Sequence, residues 1–391
     1  MIHAGGAAVK IQAVGGVRTL AFDASTPLQL SSGAALSPLT IAFETYGALN
    51  AERTNAVLVC HPLTADQFVA SPNPTTGRPA WWPRIVGPGR PIDTNRYFVV
   101  CANVLGGGMG TTGPSSIAPN GQPYGLGFPQ IAIADMVRAQ AMLVEGLGLS
   151  DLFLVVGVGL GGMQALQWAS AYPKRAFACV TVASAARQSV HNIAMGELGR
   201  QAIMADPDWR GGAYLSQGTR PAKGGAVARA AAHMAGRSAS EVHAKFEDAR
   251  RQQRFAFALD ASADAPRQGV VFVERFDANS FLYVSRAMDS FDLAADFGGR
   301  LANAFQGSAT RHGVFAFSSD WRYPPEETRI VARALMAAGA DAAYVEIETD
   351  KGHEAYQNEE PAFEAALTGF IDAAAAARGL ALQGGLRGSA N

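Results

Sequence analysis

Leu152 to Trp168 reads LFLVVGVGLGGMQALQW, and this stretch decides the fold. A β-branched apolar run meets the glycines Gly157, Gly159, Gly161 and Gly162, and a segment carrying Met163, Leu166 and Trp168 follows. A short apolar run bounded by glycine reads as a buried strand, and the spacing after it reads as a helix. Strand, sharp turn and helix in this order form a nucleophile elbow. In the pattern G-x-S-x-G the turn lifts a serine over the sheet, and the next backbone N–H serves an oxyanion hole. The five residues here are Gly157-Val158-Gly159-Leu160-Gly161, so the scaffold is present and a glycine stands at the nucleophile position.

Outward from the elbow, strand-like runs at Arg18–Phe22, Leu39–Tyr46, Ala56–Cys60 and Tyr97–Val104 precede a helical pattern over Ile131–Leu147. A further strand is expected at Ala176–Ala183. The alternation resumes with Gly313–Ser318, helix Glu326–Ala338, strand Ala342–Glu348 and a closing helix Pro361–Ala376. Strands alternating with helices imply a mostly parallel central sheet flanked by helices, an α/β fold with right-handed crossovers. Between residues 187 and 300 the alternation stops. Alanine-rich, helix-compatible segments at Asn192–Asp206, Gly224–Ala235, Ser238–Arg254 and Ser280–Ala295 read as an inserted helical lid. The α/β core is therefore expected over 18–186 and 301–378, with loose termini at 1–17 and 379–391.

Composition narrows the function classes. The chain has 391 residues, 48% hydrophobic and 17% charged, enough for a large core and incompatible with global disorder. A net charge of −1 gives no electrostatic case for nucleic acid or an anionic membrane. No apolar run is long enough to span a bilayer, and the N-terminus lacks the pattern of a signal peptide. A soluble cytoplasmic protein is expected. Cys60, Cys101 and Cys179 each follow an apolar run and read as small core residues, and no metal-type Cys/His spacing occurs.

In folds with this elbow the triad runs nucleophile, acid, histidine along the chain. Asp320 and His353 follow the strands expected at Gly313–Ser318 and Ala342–Glu348, at the carboxyl ends where open α/β sheets gather ligands. An imidazole there takes a hydroxyl proton, and a carboxylate fixes its tautomer. The oxyanion donors are expected to be the backbone N–H groups of Leu160 and of Leu63, in the turn after His61.

Longer motifs then point to one family. They include ETYG (Glu44–Gly47), CHPLT (Cys60–Thr64), WWPRIVGPG (Trp81–Gly89), PIDTNRYFVVCANVLGG (Pro91–Gly107) and GTTGPSS (Gly110–Ser116). DMVRAQ (Asp135–Gln140), GGMQALQW (Gly161–Trp168), RFDANSFLY (Arg275–Tyr283), SDW (Ser319–Trp321) and the pair Gly352–His353 continue the series. With these the chain resembles the homoserine O-acyltransferases of the α/β-hydrolase superfamily, often called homoserine O-acetyltransferases, from about Leu28 to Ile371. The resemblance implies an α/β-hydrolase fold and acyl transfer from an acyl-CoA, acetyl-CoA or succinyl-CoA, to the hydroxyl of homoserine on the route to methionine. It also implies a homodimer built through the lid and no bound cofactor or metal. Carried onto this chain, Gly159 is the nucleophile position, Asp320 the acid and His353 the base. Arg229 holds the homoserine carboxylate, a task suited to the guanidinium fork.

Departures accompany the match. With glycine at 159 no acyl-enzyme forms at that residue. Glu354 stands where the resemblance places an aspartate that meets the substrate amine, and the extra methylene displaces its carboxylate. Gly108 stands for a cysteine, and Ala261–Phe272 departs from the usual segment. Changes at several pocket positions favour natural divergence over one engineered knockout. Arg322, after SDW, resembles the succinyl-specific members and suits a second carboxylate; the alternative is a strand-end arginine paired with Glu326 or Glu327. The leading expectation is an acetyl-transferring family member with its covalent route disabled. Succinyl transfer, an inactive ligand- or partner-binding protein, and a different hydrolase-fold reaction are the alternatives.

Overall fold

The computed structural model describes residues 2–4, 7–14, 16–238, 240, 243 and 277–380. Its main sheet contains β1 (Ile2–Ala4), β2 (Ala7–Val14), β3 (Val17–Phe22), β4 (Leu39–Tyr46), β5 (Ala56–Cys60), β6 (Phe98–Ala102), β7 (Leu152–Val158), β8 (Ala176–Val182), β9 (Arg311–Phe317) and β10 (Ala342–Ile347). In space the order is β1-β2-β3-β4-β6-β5-β7-β8-β9-β10. From β6 through β5 to β10 every pairing is parallel, while β1 to β4 and the β4–β6 pair are antiparallel. The eight strands from β3 onward are the mostly parallel sheet expected of an α/β-hydrolase.

The two faces of the sheet explain why the central strands read as unbroken apolar runs. Along β5, Ala56, Leu58 and Cys60 join one core, packed with the helices α1 (Ile133–Gly146) and α2 (Leu160–Ala171). Val57 and Val59 point the other way into a second core with Phe363, Leu367 and Ile371 of the closing helix, Pro361–Ala377. Trp168 is fully buried on α2 and donates its indole N–H to Gln140 Oε1 on α1 at 2.8 Å. Truncating a tryptophan so placed typically costs about 3–5 kcal/mol. The three cysteines are free and buried, as their apolar context predicts.

Two boundaries move. Residues 1–17 were expected to be loose, but β1 and β2 extend the sheet, with Ile11 opposite Leu20 and Val14 opposite Val17. The physical reason lies in AVKIQAV, a period-two pattern able to cover the open edge of β3, followed by a glycine connection in which Gly16 has φ +82°. The helix expected over Ser280–Ala295 is α5 (Ala278–Asp289) and stops early. The chain after it turns to pair Asp292 with Arg187.

The insertion between β8 and β9 is helical among its described residues: α3 (Val190–Ala205), α4 (Ala222–Gly236) and α5. Buried Arg200 of α3 clamps α5 through Asp289 Oδ2 at 2.5 Å and Ser285 Oγ at 3.0 Å. Most of the segments expected at Ser238–Arg254 and Ala261–Phe272, and the tail from 381, lie outside the described residues. No described helix is long and apolar enough to cross a membrane.

Candidate active site

Gly159 links β7 to α2 with φ +53° and ψ −113°, a conformation side chains rarely adopt. The turn is pinned from β8: the Gly159 N–H donates to Val182 O at 3.1 Å, and the Ser184 hydroxyl donates to Gly159 O at 2.7 Å. A Cβ at residue 159 would lie 3.5 Å from His353 Nε2, in ordinary van der Waals contact. The position therefore faces the base and has space for a side chain. Two residues on, a Cβ at Gly161 would fall 1.9 Å from Cys60 O, so only glycine lets α2 start this close to the end of β5.

That approach places Leu63 and Leu160, the residues whose N–H groups are expected to serve an oxyanion, on one cavity. Leu160 is the first residue of α2, so its N–H has no acceptor within the helix. Leu63 lies in the turn after β5, and both residues line the same cavity. His61 fixes this turn, a role the sequence reading did not assign. Its Nε2 accepts the Val104 N–H at 3.0 Å, which leaves Nδ1 to donate to Pro62 O at 2.9 Å.

Asp320 and His353 meet as their chain order predicts. The His353 Nδ1–H donates to Asp320 Oδ2 at 2.8 Å, and both side chains are buried. Oδ1 of Asp320 accepts the backbone N–H groups of Arg322 and Tyr323, each at 2.9 Å. The imidazole sits between Tyr323 and Tyr356, with ring centroids 5.3 and 5.8 Å away. Nε2 is thereby aimed over Gly159. Burial pushes the phenols of Tyr323 and Tyr356 above their ordinary values, so both stay neutral beside the base.

A cavity of about 380 Å³ opens over this centre. Its lining includes Leu63, Gly159, Leu160, Arg229, Arg322, His353 and Glu354; of the other positions singled out from sequence, Asp320 stands behind His353, and Gly108 lies away from the cavity against Asp277 and Ser280. Arg78, Trp81, Tyr323 and Tyr356 also line it and were not foreseen. Arg229 comes from α4. Burial lowers its guanidinium below the ordinary value; Glu354 opposes that shift, while the nearby charges of Arg78 and Arg237 add to it. Glu354 is pushed up by burial. Neighbouring His233, with the charges of Arg229 and Arg237, outweighs this and holds it below the usual carboxylate range.

Arg322 forms no ion pair with Glu326 or Glu327 among the described residues; Glu326 faces Arg329 at 3.5 Å instead. The Arg322 carbonyl accepts from Asn192 Nδ2 at 2.7 Å, and its guanidinium carbon lies 5.9 Å from the Tyr323 ring centroid. Its Nε is buried with no hydrogen-bond partner among the described residues. The cavity is thus lined by a held base, the turn residues Leu63 and Leu160, three arginines (Arg78, Arg229 and Arg322) and two carboxylates (Asp66 and Glu354), with no side chain at residue 159.

The fold and this site define an α/β-hydrolase, and the family model for the alpha/beta hydrolase fold matches residues 55–356. The chain is 56% identical over 368 residues to a homoserine O-acetyltransferase of Caulobacter vibrioides, covering 93% of this chain and 96% of that relative. It is 54% identical over 367 residues to the homoserine O-acetyltransferase of Mesorhizobium japonicum, covering 92% and 94%. The crystal structure of homoserine O-acetyltransferase from Bacillus anthracis matches with a TM-score of 0.81 at 27% identity, over 91% of this chain and 98% of that one. The chain belongs to the homoserine O-acetyltransferase family.

Proposed function

We propose that the protein transfers an acetyl group from acetyl-CoA directly to the hydroxyl of homoserine, in a ternary complex and without an acyl-enzyme. The carrying observation is the Asp320–His353 pair, joined at 2.8 Å with Nε2 aimed over a glycine. In this reading the homoserine oxygen occupies the space a serine Oγ would fill. His353 Nε2 takes the hydroxyl proton as the oxygen bonds to the thioester carbon, and the N–H groups of Leu63 and Leu160 stabilise the resulting oxyanion. Collapse breaks the C–S bond, and the CoA sulfur leaves with the proton returned by His353. Arg229 binds the homoserine carboxylate, and Glu354 the ammonium.

The names of the relatives support acetyl-CoA over succinyl-CoA as donor. A soluble cytoplasmic homodimer belongs to the same reading. Val190, Leu198 and Val227 stand 80%, 61% and 57% exposed on α3 and α4, a face a second copy would cover. Initial rates with both substrates varied test the mechanism: double-reciprocal lines should intersect. Turnover no greater than that of a His353→Ala control would sink the catalytic reading.

A further inference from the structure

α4 presents Arg229, Ala232, His233 and Gly236 at positions i, i+3, i+4 and i+7, one helical face. Arg229, Ala232 and Gly236 line the cavity, as does Glu354 opposite them. His233 Nδ1, buried and without a hydrogen-bond partner among the described residues, lies 3.5 Å from Glu354 Oε1, and Arg237 donates its Nε–H to His233 Nε2 at 2.9 Å. Because Nε2 accepts that bond, the ring proton of neutral His233 is on Nδ1, facing the carboxylate. Gly236 also packs against Glu354: a Cβ there would come within 3.1 Å of Oε1, 3.3 Å of Cγ and 3.4 Å of Cδ. Those contacts are tight along the whole carboxylate arm.

The helix end that makes these contacts is itself anchored. Trp321, next to Asp320, donates its indole N–H to the Arg237 carbonyl at 2.5 Å. The Gly352 N–H, next to His353, bonds Ser319 Oγ at 2.9 Å. Glu354 therefore follows the base directly, and α4 fixes its direction.

We infer that His233 and Gly236 are positioning residues for the ammonium of the amino-acid substrate. Gly236 supplies the space a glutamate needs at residue 354, and His233, oriented by Arg237, turns that carboxylate toward the cavity. This rests on the homoserine reading above and names a part of it that nothing in the catalytic centre requires. The pair Gly236/Glu354 is one adjusted unit: the longer side chain is accommodated by a missing Cβ on the facing helix.

The test is calorimetry on the full-length protein with three probes: homoserine, 4-hydroxybutanoate, which lacks the amine, and acetyl-CoA. His233→Ala should weaken homoserine binding roughly tenfold, because the polar group facing the Glu354 carboxylate is removed. It should leave 4-hydroxybutanoate and acetyl-CoA unchanged, and His233→Asn, which keeps a donor near Nδ1, should recover most of the loss. Gly236→Ala should weaken homoserine binding in the natural background but not in Glu354→Asp, where the carboxylate has withdrawn. Equal losses for all three probes, or an unchanged affinity for homoserine, would overturn the inference while leaving the homoserine reading intact. Wild-type protein that binds neither homoserine nor acetyl-CoA removes both.

Discussion

On the sheet side of the cavity the chemical groups hang from strand ends and are over-determined. Asp320 accepts two backbone N–H groups and the His353 ring, and the turn at Gly159 is bonded twice to β8 and its following loop. On the insertion side Arg229, His233 and Glu354 hang from one helix and one loop. His233 and Glu354 keep 26% and 34% of their side chains exposed, and the contact between them is 3.5 Å long. The contrast teaches where change is tolerated. A glycine can stand at the turn without disturbing the base, because neither the turn nor the dyad depends on a side chain there. The insertion side has instead adjusted as a unit, glutamate against glycine.

Three substitutions probe this contrast, largest expected effect first. Gly159→Ser restores an oxygen within reach of His353 and should raise the acetyl-transfer rate by roughly 10⁴-fold, given what serine knockouts cost enzymes of this type. A gain below about tenfold would move the defect to the insertion side. In that restored background, Asp320→Asn should remove about 10³-fold or more of the rate, because the amide favours the wrong His353 tautomer. Steady-state rates report both.

The smallest effect concerns stability and leaves the cavity alone. His312, buried at the start of β9, is held down to about 4 mainly by burial. The unfolded ring titrates near its ordinary value, so as pH falls between the two values the unfolded state binds a proton the folded state refuses. Stability is therefore full above about pH 6.5 and lost progressively down to about pH 4, by roughly 3 kcal/mol at most. His312→Leu should flatten this part of a urea-denaturation profile. A profile unchanged by the substitution would assign the acid sensitivity elsewhere.

Much of this was legible in the sequence, for reasons that differ by residue. Apolar runs and the glycine turn specify β7 and α2 locally, and chain order then picks out Asp320 and His353. The oxyanion pair followed from the same scaffold. His61 escaped notice because its role depends on a backbone N–H contributed by Val104, 43 residues away. Arg78, His233 and Gly236 escaped because a loop and a helix meet the site only in the folded chain. Gly236 in particular looks like an ordinary helix end until Glu354 is placed against it. The N-terminal strands were hidden by their alanine and glycine content, although the period-two pattern was present. Of the two readings of Arg322, the alternative pairing with Glu326 or Glu327 is not formed: Glu326 faces Arg329, and Arg322 lines the cavity.

The most direct test of the central claim weighs the intact protein after incubation with acetyl-CoA alone. The protein with Gly159 should gain no acetyl group yet transfer acetyl once homoserine is added, while Gly159→Ser should gain one acetyl group and lose it to homoserine. A Gly159 protein that becomes acetylated on its own, and passes that group on, would contradict direct transfer.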